Sequence, residues 1–315
     1  MNRPMRKARR AALVAAACLV VAGASAQTVI DLGPGGGVRS KNIRDFDRQL
    51  KTPRQLAEDS LAYRDRITRA YNALATDSLA QADGLFREAL KLMPGQSANP
   101  LVYYQLGLIA SVRGDDRAVV AEMTHALDAR PDMADARRQR AYAYLNLRLL
   151  DEARRDCDAL LDGQPTDTTA LFLRAAVATR QRDYPSAARD LQTLLKISPQ
   201  HVSGRLSLAI VTQKMGRPRE ALNALNLLVQ SAPDNADCLA ARADVEVELG
   251  MDEAARADLD AALRLAPDDA GLLLQRAAVL TRLGSRAAAR RDLDRAVGLG
   301  VPRASLNAQY RALTR

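Results

Sequence analysis

Tryptophan is absent from the 315 residues, and histidine occurs only twice, at His125 and His201. Neither histidine has a second histidine or a cysteine at ligand spacing, so a zinc site lacks its building blocks and no metal is expected. Aromatic residues make up 3%, and glycine and proline are scarce; a β-sandwich would need more β-branched and aromatic residues. There is no Gly-rich loop to cradle a phosphate. Without a histidine placed as a base, the serines and cysteines have no activation for nucleophilic catalysis. An enzyme, a cofactor and a small-molecule substrate are therefore not expected.

What is present favours helix: alanine, leucine and arginine dominate, and 48% of the residues are hydrophobic, enough for a large core. The N-terminus reads as an export signal. "MNRPMRKARR" carries five positive charges, "AALVAAACLVVAGASA" is apolar and small, and it ends in Ala-Ser-Ala. Cleavage is expected after Ala26, leaving Gln27 first. An uncleaved anchor is the alternative, but the apolar run is short of the ~20 residues a bilayer span needs. Cys18 sits mid-run, a poor position for lipid attachment, and no later stretch approaches spanning length. The formal charge of +9 falls to +4 once the five charges of the signal are removed. That modest, dispersed surplus argues against a nucleic-acid partner.

The chain repeats itself. Pro131, Pro165, Pro199, Pro233 and Pro267 recur every 34 residues, with Pro94 and Pro302 slightly off the beat. Each of the first six closes a similar segment, from "ALKLMP" to "ALRLAP", and proline cannot continue a helix. With these prolines at slot 32, seven repeats begin at Tyr63, Pro100, Ala134, Thr168, Val202, Ala236 and Ala270, with a three-residue insertion, Ser97 to Asn99, after the first. Slot 8 is Ala70, Gly107, Ala141, Ala175, Ala209, Ala243 and Ala277; slot 20 is alanine or Val119; slot 24 is larger, from Phe86 to Leu293. Slot 15 is glycine in four repeats, at Gly114, Gly216, Gly250 and Gly284. Apolar residues recur at helical spacing on either side of it. Glycine there can take the left-handed conformation that ends one helix and reverses the chain. Small residues at slots 8 and 20 let two antiparallel helices approach closely. One such hairpin cannot bury its apolar face alone, and stacking provides the core.

This pattern resembles the tetratricopeptide repeat family over residues 63 to about 303, although slot 4 is never tryptophan and the tyrosine common at slot 11 survives only as Tyr144. The resemblance implies an all-α, right-handed superhelical solenoid of about seven antiparallel helix pairs. The expected layout is a signal peptide at 1–26, a flexible segment at 27–51, the solenoid at 52–303 and a capping helix at 304–315. Thr52-Pro53-Arg54-Gln55 reads as a helix start with a capping box. Leu306, Tyr310 and Leu313 fall on one face of the C-terminal cap. In the family the first helix of each repeat lines a concave face through slots 2, 5, 9, 12 and 13. Here slots 5 and 9 supply Ile67, Tyr71, Tyr104, Leu108, Arg138, Tyr142, Phe172, Ala176, Leu206 and Ile210, and further along Ala240, Asp244, Leu274 and Ala278. The expected groove is the aromatic and apolar N-terminal part, Tyr71, Tyr104, Leu108, Arg138, Tyr142 and Phe172, with one arginine among the rings, as binding hot spots favour. The lysine and asparagine clamp of chaperone-tail binders is missing, because slot 5 is never lysine and slot 9 never asparagine.

Four arginines at slot 7 each have an aspartate sixteen residues on, at slot 23: Arg140 and Asp156, Arg174 and Asp190, Arg242 and Asp258, Arg276 and Asp292. Asp occurs at slot 23 only where Arg occupies slot 7. These are expected to be structural ion pairs, bridging a hairpin or joining neighbouring ones, because guanidinium takes a carboxylate bidentately while its stem packs on apolar surface. Cys157 and Cys238 lie three repeats apart, beyond the ~7 Å limit for a disulfide, and are expected to be core residues. The functional expectation is a non-enzymatic scaffold of the Gram-negative cell envelope, periplasmic or outer-membrane-associated, binding a peptide or partner helix in the groove. The alternatives are an accessory subunit of an outer-membrane or cell-wall assembly using convex or end surfaces and, less favoured, an RNA-binding helical repeat.

Overall fold

The computed structural model describes residues 51–314. The expected signal peptide at 1–26 and all but the last residue of the segment at 27–51 lie outside the described residues. Among those described there are fifteen α-helices and no strand. In order they are α1 (Pro53–Ala75), α2 (Leu79–Leu92), α3 (Asn99–Arg113), α4 (Asp116–Ala129), α5 (Ala134–Asn146), α6 (Leu150–Gly163), α7 (Thr168–Arg180) and α8 (Tyr184–Ile197). There follow α9 (Val202–Lys214), α10 (Pro218–Ser231), α11 (Ala236–Glu248), α12 (Asp252–Leu265), α13 (Ala270–Arg282), α14 (Arg286–Gly298) and α15 (Asn307–Ala312). Odd-numbered helices up to α13 are the first helices of the repeats and even-numbered ones the second. The chain divides into two compact units, one ending at Asp156 and one beginning at Cys157, a boundary inside α6.

Local sequence sets the helix ends. The second helices α2 to α12 each stop two residues before the slot-32 proline. Asp167, Asn235 and Asp269 cap α7, α11 and α13 by accepting from backbone N–H groups in the first turn. His201 does the same for α9, its Nδ1 accepting from Gly204 N at 2.9 Å. Thr52 and Gln55 form the capping box of α1, and that helix runs without a break into the first repeat.

Slot 15 is left-handed in all seven repeats, not only in the four that carry glycine. Gly114, Gly216, Gly250 and Gly284 have φ of 73–78°, and Asp77, Arg148 and Arg182 have φ of 59–62°. Hairpin geometry demands this conformation whatever the residue. For a side chain other than glycine it costs roughly 1 kcal/mol or more.

Packing follows the slots. Every residue of slots 8, 20 and 24 is buried. In the first compact unit Ala70, Ala82, Phe86, Leu106, Val119 and Met123 share one cluster. In the second, Ala209, Ala221, Leu225, Ala243, Ala255 and Leu259 form the largest one. Cys157 and Cys238 are both buried, and neither is in a disulfide. The insertion after the first repeat is pinned by Asn99, whose Nδ2 donates to the carbonyls of Met93 and Pro94 at 2.8 and 2.7 Å while its Oδ1 accepts from the Tyr63 hydroxyl at 3.1 Å. Burial pushes that hydroxyl up to about 12.

The C-terminal cap differs from a single helix. Arg303–Leu306 is a 3-10 turn, tightened by Ser305 Oγ donating to Pro302 O at 2.6 Å, and only then does the six-residue α15 begin. The covering function is kept: Leu306 is buried with Ala277, Leu280, Ala289 and Leu293, and Tyr310 and Leu313 pack beside it.

Candidate functional site on the first-helix face

The slot-7 arginines tie neighbouring helices together. Each takes its aspartate in a two-pronged bond. Arg140 reaches Asp156 at 2.8 and 2.7 Å, Arg174 reaches Asp190 at 2.8 Å twice, Arg242 reaches Asp258 at 2.6 and 2.7 Å, and Arg276 reaches Asp292 at 2.8 and 2.7 Å. The remaining Nη1 of each donates to slot 25 of the preceding repeat: Thr124 at 3.1 Å, Asp158 at 2.8 Å, Asn226 at 3.1 Å and Asp260 at 2.7 Å. One guanidinium therefore bridges its own hairpin and the one before it. The four aspartates are buried, 4–8% exposed. Hydrogen bonding to them holds all four arginines above their ordinary range, against the opposing effect of burial. In the second repeat the charges are exchanged: Glu122 at slot 23 is met by Arg87 from slot 25 of the first repeat, at 2.9 Å. These side chains are engaged in holding helices together.

One carboxyl beside this framework is poorly provided for. Glu246, at slot 11 of α11, is 6% exposed and its Oε2 has no hydrogen-bond partner. Burial, reinforced by Asp258 and opposed by Arg242, raises it to about 7.

The residues expected to line the groove fall in two places. Tyr71, Tyr104, Leu108, Arg138 and Tyr142 lie in the first compact unit, and Phe172 lies in the second. Tyr71 is half-buried, edge-on to Phe86 at 5.4 Å. Tyr104 is half-buried; burial first, then Asp135, raises its hydroxyl, and Arg138 opposes them. Arg138 donates to Asp135 at 2.5 Å. Tyr142 is half-buried on α5. Leu108, 6% exposed, belongs to the core cluster and offers little surface.

In the second unit, first helices lie side by side. Gln213 Nε2 on α9 donates to Glu248 on α11 at 2.8 Å, and Gln275 Nε2 on α13 approaches Asp244 on α11 at 3.4 Å. Between α7 and α9 the face opens into a cavity of about 220 Å³. Phe172, Ala176 and Ile210 line it from slots 5 and 9, together with the polar Thr179, Arg180 and Ser207 and the apolar Ala175, Leu191 and Val211. At slot 9 the fourth repeat contributes the small Ala176 to it, where the first three repeats have Tyr71, Leu108 and Tyr142. Sequence reasoning placed Phe172, Ala176 and Ile210 on this face through slots 5 and 9, and selected only Phe172 of them for the groove. The Ala175-Ala176 pair between Phe172 and Ile210 was the available signal. Among the described residues no group of three or more His, Cys, Asp or Glu is placed to hold a metal ion, and no helix is long and apolar enough to cross a membrane.

Tetratricopeptide repeat family models match residues 104–168 and 178–245. A tetratricopeptide repeat protein from Parabacteroides merdae is similar in structure, at 22% identity and a TM-score of 0.73, over 81% of this chain and 100% of that one. PilF of Pseudomonas aeruginosa is similar at 18% identity and a TM-score of 0.56, over 68% of this chain and 96% of that one. A thermophilic tetratricopeptide protein of Thermus thermophilus is similar at 21% identity and 0.51, over 59% and 99%. Comparison with curated proteins gives no match. The repeats and their slots define a helical-hairpin protein of the scaffold class, a class that is generally non-catalytic and binds protein or peptide partners. Residues 104–168 and 178–245 thus carry tetratricopeptide repeats, and the fold is that of a tetratricopeptide repeat protein.

Proposed function

We propose that this protein is a non-enzymatic scaffold that holds an extended segment of a partner protein on its first-helix face, in the envelope of a Gram-negative bacterium. The observation that carries the binding reading is the cavity between α7 and α9, lined by Phe172, Ala176 and Ile210. Its volume suits one leucine-, methionine- or phenylalanine-sized side chain; an apolar cavity of ~150 Å³ already admits benzene. The N-terminal charged and apolar run supports export, to the periplasm or the outer membrane.

The test is affinity capture from envelope extracts with wild type beside Ala176→Phe, which fills the cavity, and Tyr104→Ala/Tyr142→Ala. Ala176→Phe is expected to lower recovery of the specific partner at least about tenfold. Recovery of the same proteins by all three forms would exclude the first-helix face as the docking surface. N-terminal sequencing of exported protein is expected to begin at Gln27, and a start at Met1 would overturn the cleavage reading.

The exposed Leu227 on the second helix α10, 60% open to solvent, favours a second reading in which the outer helices meet an assembly partner. Leu227→Glu separates the two, because it leaves the cavity untouched.

A further inference from the structure

The residue that caps a first helix changes chemistry in one repeat. Asp167, Asn235 and Asp269 stand immediately before α7, α11 and α13, and His201 stands before α9. Each accepts from a backbone N–H of the first turn. An aspartate or asparagine keeps an acceptor oxygen whether or not a proton is added. Imidazole does not: in the neutral form one nitrogen accepts, and once protonated both nitrogens donate. Histidine is also the side chain that ordinarily changes charge between pH 5 and 8. Of these four caps, the one on α9 is the one that a proton abolishes.

His201 is also built into the wall of the cavity. Its ring lies against Phe172, with centroids 5.6 Å apart and a tilt of 36°. Phe172 lines the cavity, as do Ser207 and Ile210 on the helix that His201 caps. Gly204, whose N–H donates to Nδ1 at 2.9 Å, is the only glycine at slot 3 of the seven repeats. A Cβ there would stand 2.8 Å from Leu194 Cδ2 and 3.3 Å from His201 Nδ1, so the bare backbone lets the imidazole close on the helix.

The bond to Gly204 is the one side-chain hydrogen bond of His201 among the described residues. The charged groups on the elements around it are Lys196 in the last turn of α8, Arg205 one turn into α9, and Asp167 and Arg174 on α7. Asp167 caps α7, and Arg174 is held by Asp158 and Asp190. Among the described residues no carboxylate is paired with the imidazole, and a positive charge at the start of α9 is opposed by the helix dipole.

We infer that the hold of the cavity is proton-linked: protonation of His201 releases the first turn of α9 from its cap, frees the ring from Phe172 and weakens the grip on the partner's side chain. The inference rests on the peptide-binding reading above and adds its regulation. The hydrogen bond fixes the sign. The capped form carries no proton on Nδ1, so the hold is full above the imidazole range and is lost as pH falls through it. Glu246 on α11, raised to about 7, changes charge in the same range and is common to wild type and His201→Asn.

The test uses an end-blocked peptide free of histidine and acidic residues, selected at pH 7.5 from a random display library on the full chain and lost on Ala176→Phe. Its affinity is measured at pH 7.5 and 5.5 for wild type and for His201→Asn, whose amide keeps the cap at both values; thermal unfolding confirms folding. Wild type is expected to bind about fivefold more weakly at pH 5.5, the worth of one cap. His201→Asn is expected to match wild type at pH 7.5 and to lose less than about twofold at pH 5.5. Exchange of the Gly204 amide, corrected for the intrinsic effect of pH, is expected to quicken at pH 5.5 in wild type and not in His201→Asn. Equal pH dependence of the two forms, or a Gly204 amide equally protected at both pH values in wild type, would overturn this inference and leave the peptide-binding reading standing. Failure to select any peptide sensitive to Ala176→Phe would overturn both.

Discussion

Arg182 illustrates how a single residue carries the demands of the repeat. Its φ of 62° belongs to the position and not to the side chain, because Gly114, Gly216, Gly250 and Gly284 occupy the equivalent place with φ of 73–78°. Arg182→Gly is expected to stabilise the chain by about 0.5–1 kcal/mol, since relief of the left-handed strain exceeds the entropy glycine adds to the unfolded chain. Chemical denaturation reads this directly; an unchanged or lower midpoint would show that the arginine side chain contributes more than the strain removes. Glu246 sets a pH dependence of known sign. Its folded value, about 7, lies above the ordinary 4.5, so the folded state holds a proton that the unfolded state has released between those values. Stability from this group is full below pH ~4.5 and is lost as pH rises through ~7. Glu246→Gln is expected to raise stability at pH 8 by roughly 1–3 kcal/mol and to leave it nearly unchanged at pH 4.

At the scale of helices, the arginine bridges explain why sixteen-residue Arg/Asp spacing recurs. A two-pronged bond inside each hairpin and a third contact to the preceding one fix both the approach and the order of helices. Arg242→Ala leaves Asp258, 8% exposed, without its partner, and is expected to cost about 3 kcal/mol of stability while peptide capture by the folded protein stays unchanged. Loss of capture without loss of stability would reassign the arginine to binding. Much at this scale was legible beforehand. Prolines mark helix ends because they cannot continue a helix, and the small residues of slots 8 and 20 mark close approach because they let two helices come near. The third contact of each arginine was not legible, since slot 25 holds Thr124, Asp158, Asn226 and Asp260 in turn, alike only in offering an oxygen. The left-handed Asp77, Arg148 and Arg182 were hidden for the same reason: the requirement resides in the hairpin and not in the residue type. At the C-terminus, Leu306, Tyr310 and Leu313 have helical spacing, but Pro302 and Ser305 tighten the first turn into a 3-10 form.

For the whole molecule, the repeats supply copies of one framework, and function must come from slots where the copies differ. Slot 9 of the first helices is such a place: tyrosine, leucine, tyrosine, alanine, isoleucine, aspartate and alanine in order. Sequence reading selected the bulky members as the groove. The structure shows Tyr71 and Leu108 turned largely into packing, while the small Ala176 lines an open cavity. A cavity is a deficit of side-chain volume relative to neighbours, so it becomes visible only when the helices are side by side. Hydrogen exchange of the full chain, alone and with a captured partner, tests the first-helix face most directly. Slowed exchange in α7, α9 and α11 is expected, with α8, α10 and α12 unchanged. Protection confined to α8, α10 and α12 would contradict the assignment and place the partner on the outer helices.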